Sequence, residues 1–473
     1  MSIMAKILLV AYDSEMYIHW FPQGLAYIAS ALLKAGHEVD IHQQDTNHYH
    51  DSVLTNRLDS TKYDVVGVGL CGGYYQYQKL LKISEAINAS KQRPFFMIGG
   101  HLVSPEPKYF LKKTQADAII IGEGEETVVE LVNELTLQRI RSPTAGLLKF
   151  IKGIAYRIGE FTYINERRPL IKDIDSIPMP AYHLFDINSY RLLRMPHCSN
   201  KDFVMPVLSG RGCTHKCSFC YRMDTGFRPR SPESIIKEIK FLQRTYGITY
   251  IAFSDELLMS SKKRTIELCN VFIEADLNIK FDCNGRLNHA TPEVLKTMKE
   301  AGCVFINYGI EALDDIVLKN MHKDLTVKQI TEGVEATINA GISPGLNIIF
   351  GNIGDTKETL YKGVDFLLKY DDGSQLRTIR PVTSYPGCEL YYQAINKGLL
   401  KDVEDFYENK HINSDLLSVN FTDMSDKEFH EELFKANSIL IKNYFRNKCN
   451  ATVNEAEELY YEKNQNFRGF RST

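Results

Sequence analysis

Short runs of uniformly apolar residues, each followed by a stretch of helical periodicity, recur along this chain and restrict it to few architectures. In the first part, KILLVAY (6–12), EVDIHQQ (38–44), DVVGVGL (64–70), PFFMIGG (94–100) and the start of DAIIIGEGEET (117–127) read as strands. Strands without polar alternation are buried on both faces, as in a parallel sheet covered by helices. PQGLAYIASALLKAGHEV (22–39), with a stop at Gly36, and the run 77–90 supply the helices. Residues 1–140 therefore predict a doubly wound α/β domain.

The alternation resumes after a connector over 141–200. There GIAYRIGEFTYINERR predicts a hairpin, and Pro178 and Pro180 in DIDSIPMPAYHLFD suit an extended linker. Over 201–390, FVMPVLSG, ITYIAFS, IKFDCNG, VFINYGI, SPGLNIIFG and LRTIRPV read as strands separated by helical runs. Such βα repeats close into a full or partial barrel, here (β/α)6, with chemistry where strands end and loops begin. Residues 391–473 are charged and mainly helical, and predict a cap or lid.

A length of 473 residues accommodates two or three domains, and 44% hydrophobic with 24% charged residues is ordinary for a globular protein. The net charge of −3 offers no basic excess for nucleic acid. No apolar run approaches the roughly eighteen residues a membrane helix needs. The opening MSIMAKILLVAYDSE is too short in its apolar part for a secretory signal, so the expected location is the cytoplasm.

Among ten cysteines only Cys213, Cys217 and Cys220 are clustered, in LSGRGCTHKCSFCYR directly after the first barrel strand. In a chain of this kind a cluster reads as metal binding rather than disulfides. Three thiolates on one loop each hold one iron of a cubane and leave the fourth iron open. A zinc site completed by His215 is the alternative from chemistry alone. In the first domain, the carboxyl ends of the strands carry Tyr12 to Ser14, Leu70 to Gly73, Gly99 to Ser104 and Gly122 to Glu126. Those glycines serve either tight turns or the close approach of a large flat ligand. No G-x-G-x-x-G follows the first strand, which argues against a nicotinamide dinucleotide.

The motif C-x3-C-x-aromatic-C, with Phe219 before the last cysteine, resembles the signature of the radical S-adenosylmethionine (SAM) superfamily. RSPESIIKEIKFLQRTYGITYIAFSDE, FDCNGRLN, MKEAGCVFINYGIEALDD, FGNIGDTKET and SYPGCELYYQA resemble its branch with an amino-terminal cobalamin-binding domain. So do FPQGLAYIASALLKAGHEVDI, IGGHLVSPEP and ADAIIIGEGEET, and together these segments span nearly the whole chain. The resemblance implies a [4Fe–4S] cluster on Cys213, Cys217 and Cys220, with SAM on the open iron. Reductive cleavage there would give a 5′-deoxyadenosyl radical. It also implies a small-molecule substrate and a flavodoxin or ferredoxin as reductant. Asp255 and Glu256 would meet the SAM amino group, Arg286 its carboxylate and Glu311 the ribose, with Asn347 and the loop 351–355 on the adenine or substrate side. Gly99, Gly100, His101, Ser104, Gly122, Glu123 and Gly124 would line a corrinoid. The cobalt-ligating D-x-H-x-x-G is absent, since no glycine stands three residues after His42, which argues against His42 as a cobalt ligand.

The reaction implied first is cobalamin-dependent methylation of carbon in a small molecule or natural product. The alternative is a radical cyclase, dehydratase or rearrangement enzyme that uses cobalamin differently or has lost it. Transfer-RNA methylthiolation would need three further cysteines in the first domain, which holds only Cys71. A non-enzymatic electron carrier would close all four iron positions with cysteine. Tyr308, Tyr385 and Cys388, near the barrel mouth, are more simply explained by packing.

Overall fold

The computed structural model of the protein describes residues 4–137, 145–223 and 225–462. The ends of the 1–140 and 391–473 segments, and residues 141–144 of the connector, lie outside the described residues.

The first sheet contains β1 (Lys6–Ala11), β2 (Glu38–Gln43), β3 (Val65–Gly69), β4 (Phe95–Gly99) and β5 (Ala118–Ile120), followed by the hairpin β6 (Ile154–Ile158) and β7 (Phe161–Ile164). Its order is β2-β1-β3-β4-β5-β6-β7. The first five strands are parallel, and β6 joins β5 antiparallel. The connector hairpin thus extends the sheet of the first domain. Strand alternation sends Ile7 and Leu9 to one face, against Leu32 of the helix Gln23–Lys34 and Leu131 of the helix Glu125–Leu137. Leu8 and Val10 face the other way, onto Leu80 and Ile83 of the helix Tyr74–Asn88 and onto Phe110. Each such side chain contributes about 1.5–3 kcal/mol on burial, which commits both faces to helices. The expected doubly wound domain is present.

The second sheet holds β8 (Val204–Val207), β11 (Tyr250–Phe253), β12 (Lys280–Gly285), β13 (Cys303–Glu311), β14 (Ser343–Phe350) and β15 (Arg380–Pro381). All pairs are parallel and the order runs β8-β11-β12-β13-β14-β15, an open half-barrel of six strands. Between β8 and β11 lies a two-residue antiparallel pair, β9 (Gly210–Arg211) with β10 (Arg228–Pro229).

The carboxyl-terminal region touches both domains. Tyr407 stacks on Tyr77 of the first domain with ring centroids 4.7 Å apart. Phe429, at the start of the helix Asp426–Tyr460, stacks on Phe350 of β14 at 4.9 Å. No helix among the described residues is long and apolar enough to cross a membrane.

Candidate functional site

Where β8 ends, the chain turns into the cysteine loop, and the β9–β10 pair closes the loop at its base. Gly212 lies at φ +86°, and a Cβ there would stand 2.2 Å from the Gly226 carbonyl oxygen, so only glycine fits. The loop is anchored twice further on. Ser218 N donates to Met321 O at 2.9 Å, and Leu390 N donates to Ser218 O at 2.8 Å. Cys220 N closes a turn onto Cys217 O at 3.2 Å.

Around the thiols the structure gathers positive charge. Burial raises the Cys217 thiol, while Lys323 and Arg286 favour its thiolate. Arg286 is 5% exposed and donates to Asp324 O at 3.0 Å and to Lys323 O. Lys323 pairs with Glu311 at 2.9 Å and lies 5.9 Å from the centroid of the Phe219 ring. Glu311 itself stands at φ +69° next to a register shift in β13. A carboxylate held in the left-handed region is the kind of strained position that clusters at functional sites.

The donor set suits a cubane better than a single zinc ion. Zinc draws all its ligands to within about 2.3 Å of one point. Among the described residues no three His, Cys, Asp or Glu side chains are grouped that tightly. His215 Nδ1 instead lies 3.9 Å from Asp324 Oδ2. A cubane needs only three thiolates, one on each of three irons, and Cys213, Cys217 and Cys220 supply them from one loop.

A cavity of about 720 Å³ opens between this loop and the first domain. Its inner wall is the sheet, with Leu9, Gly67 and Met97, together with Tyr27 and Ile28 of the helix Gln23–Lys34. Its rim is built from Gly99 to His101, Gly122 to Gly124, Gly210 to Gly212, Asp255 and Glu256. At Gly24 and Gly122 a Cβ would meet nothing within 4 Å, so these glycines keep the lumen open for a bulky occupant. That volume and the mainly apolar wall fit a large cofactor such as a corrin with its appended nucleotide.

The expected corrin residues divide by what they touch. Gly99, Gly100, His101, Gly122, Glu123 and Gly124 line the cavity. His101 also reaches the cysteine loop, its ring edge-on to Tyr221 at 6.2 Å. Ser104 does not line the cavity: its hydroxyl donates to Gly100 O at 2.8 Å and supports the loop from behind. Glu123 is committed elsewhere. It accepts from Arg211 at 2.9 Å, from Arg228 at 2.9 and 3.0 Å, and from Ile171 N at 2.8 Å. Those cations hold its carboxyl below the usual range despite burial. Arg211 and Arg228 belong to the β9–β10 pair, so this ion cluster bolts the cysteine loop to the first domain. His42 is 2% exposed and does not line the cavity.

The expected SAM residues also differ in availability. The Asp255 carboxylate accepts from Ser209 N at 2.6 Å and from the Ser209 hydroxyl, and burial raises it to about 6. It therefore ties two strand ends together, which leaves Glu256 as the exposed acid of the pair. Asn347 heads a chain of amides across three neighbouring strands. Its Nδ2 donates to Asn307 Oδ1 at 2.8 Å, Asn307 Nδ2 to Asn284 Oδ1 at 3.1 Å, and Asn284 Nδ2 to the Asp255 carbonyl at 2.7 Å. Sequence reasoning missed Asn284, Asn307, Lys323, Arg211 and Arg228. The first two stand in the strands IKFDCNG and VFINYGI, where a polar residue amid apolar ones was the available signal. Tyr308 is fully buried and bonds Thr337 Oγ1 at 3.0 Å, and Cys388 is 2% exposed, so both pack.

Comparison with known proteins agrees with this geometry. A family model described as the radical SAM superfamily matches residues 207–367, and one described as the B12 binding domain matches 11–132. The uncharacterized methyltransferase PH0819 of Pyrococcus horikoshii is 30% identical over 406 residues, covering 84% of each chain. The anaerobic magnesium-protoporphyrin IX monomethyl ester cyclase of Rubrivivax gelatinosus is 25% identical over 402 residues, 83% of this chain and 70% of that one. In fold, the radical SAM methyltransferase TsrM of Kitasatospora setae, solved with cobalamin and a [4Fe–4S] cluster, superposes with a TM-score of 0.68 at 16% identity, covering 85% of this chain and 80% of that one. With the cysteine loop on the half-barrel and the glycine-rimmed cavity beside it, the chain belongs to the radical SAM superfamily, in the group that carries an amino-terminal B12 binding domain.

Proposed function

We propose that this enzyme methylates carbon in a small-molecule, natural-product-type substrate, using cobalamin together with a [4Fe–4S] cluster and SAM. The observation that carries the reading is the single cavity lined both by the strand ends of the first domain and by Gly210 to Gly212 and Glu256, next to the cysteine loop. A corrin held there would face the barrel mouth. When bound, these groups supply one-electron cleavage of a sulfonium and delivery of a methyl group.

The chain's own residues have distinct tasks in this reading. Cys213, Cys217 and Cys220 hold three irons. Lys323 and Arg286 offset the negative charge of the thiolates, and Arg286 braces the loop at Lys323 and Asp324. Glu256 meets the SAM ammonium, a charge-assisted contact. The Asn284–Asn307–Asn347 chain presents amide groups along the barrel interior, where Asn347 is exposed. The apolar wall and the carboxyl-terminal region exclude water from a reactive radical. A flavodoxin or ferredoxin supplies the electron, and a cytoplasmic location follows from the same reading.

A radical cyclisation is the second reading, favoured by the cyclase relative that covers 83% of this chain. One experiment separates the two. The protein is purified without oxygen, supplied with iron, sulfide and hydroxocobalamin, and analysed for iron and cobalt. It is then given SAM and a low-potential reductant. About four irons with cobalt, and both 5′-deoxyadenosine and S-adenosylhomocysteine as products, support methylation. Iron and 5′-deoxyadenosine without S-adenosylhomocysteine support cyclisation. No iron, or no loss of 5′-deoxyadenosine on Cys217→Ala, would sink both.

A further inference from the structure

In the first sheet β1 lies between β2 and β3. The helix Gln23–Lys34, which leads to β2, packs on one face, and the helix Asp51–Ser60, which leads to β3, packs on the other. The crevice at the carboxyl ends of the strands, where such crossovers part, is where open α/β sheets take their ligands. The loop that leaves β1 at this crevice carries His19, which lines the cavity.

His19 is 6% exposed, its Nδ1 is enclosed without a partner, and among the described residues its ring makes no hydrogen bond. Buried polar groups are nearly always bonded, so an imidazole left this way on a cavity wall requires an occupant. With Nδ1 enclosed, Nε2 is the nitrogen left to meet it. The ring is also held in place. The His48 ring lies 5.4 Å away, centroid to centroid, and its Nδ1 is 3.1 Å from each oxygen of the Asp13 carboxylate. Asp13 in turn accepts from Glu15 N at 2.7 Å, and its carbonyl accepts from the Tyr75 hydroxyl at 3.0 Å. These bonds tie the loop after β1 to the segment after β2 and to the helix Tyr74–Asn88. A second histidine, His101, lines the cavity too, but its ring meets Tyr221 of the cysteine loop. His101 thus stands toward the barrel, whereas His19 packs on His48 within the first domain.

We propose that His19 ligates the cobalt of a corrin bound in this cavity, on the face turned away from the cysteine loop. The inference rests on the corrin reading given above. A corrin surrounds its metal with its own nitrogens, so a single protein ligand suffices. No group of three His, Cys, Asp or Glu able to hold a bare metal ion occurs among the described residues. The opposite face of the corrin is left to the cysteine loop and the barrel. His48 and Asp13 behind the ring fix its orientation, the task of the partners behind metal-bound histidines generally.

Electron paramagnetic resonance on the full chain tests this. The protein is produced with histidine labelled in heavy nitrogen, loaded with hydroxocobalamin and reduced to the cobalt(II) state. An axial nitrogen splits each cobalt line into three when it is the common isotope and into two when it is the heavy one. The cofactor's own nucleotide base is unlabelled, so a two-line pattern assigns the ligand to a histidine of the chain, and no variant has to fold for that result. His19→Ala is expected to bind cobalamin and lose the two-line pattern, and His101→Ala to keep it. Bound cobalamin with unsplit or three-line signals in the labelled wild type, or a two-line pattern that survives His19→Ala, would overturn the inference and leave the corrin reading standing. No uptake of cobalamin by the wild type would overturn both.

Discussion

At the scale of single residues, the buried acid Asp282 is tuned by its surroundings. Asp282 of β12 is 6% exposed, and burial raises it to about 7, with the Tyr250 hydroxyl as its partner. In the unfolded chain it ionises near pH 4. Below that both states are protonated and it costs nothing. As pH rises from about 4 to 7 the unfolded state gives up the proton first, so folding stability falls, and above about 7 the full cost of a buried carboxylate remains. Asp282→Asn is therefore expected to raise Tm at pH 8, by the equivalent of about 2–4 kcal/mol, and to leave it unchanged at pH 4. Equal Tm shifts at both pH values would refute the assignment. Gly100 is constrained through its backbone instead. It stands at φ +104°, and a Cβ would lie 2.2 Å from the Leu70 carbonyl oxygen. Gly100→Ala should cost about 1–3 kcal/mol in urea unfolding and weaken hydroxocobalamin binding, read from the visible spectrum.

Among elements, the two-residue pair β9–β10 matters more than its length suggests. It closes the cysteine loop and sends Arg211 and Arg228 to Glu123 on the turn after β5. Glu123→Gln removes one of the two carboxylates that Arg211 bonds, Glu125 at 2.5 Å being the other, and a carboxylate that Arg228 bonds, a loss of about 1–3 kcal/mol. Because the clamp sets loop against cavity, the same variant should bind hydroxocobalamin more weakly while its iron content holds. Loss of iron with intact cobalamin affinity would mean that Glu123 serves the loop alone.

At the scale of the whole molecule, the carboxyl-terminal region ties the two domains together. Tyr407 lies among Tyr77, Tyr109 and Phe110 of the first domain, and Glu408 pairs with Lys113 at 2.6 Å. The helix Asp426–Tyr460 meanwhile rests on the barrel. Tyr407→Ala should cost about 3–5 kcal/mol and raise amide exchange in the helix Tyr74–Asn88 before that in β12 and β13. Uniform loss of protection would show that the domains unfold as one unit.

Sequence alone determined the two α/β units, the six-stranded half-barrel and the position of the cysteine loop, because apolar runs and C-x3-C-x2-C are local patterns. It also marked the glycine turns Gly99–Gly100 and Gly122–Gly124, where backbone geometry leaves a local trace. Tertiary structure alone decided which of the neighbouring side chains are tied up by distant partners. Asp255 is bound to Ser209, Glu123 to two arginines about 90 and 100 residues away, and Ser104 faces behind the loop. The hairpin read as part of a connector became an edge of the first sheet. Each depends on partners distant in sequence, and a pairing energy between two buried charges has no periodicity that a one-dimensional pattern can carry.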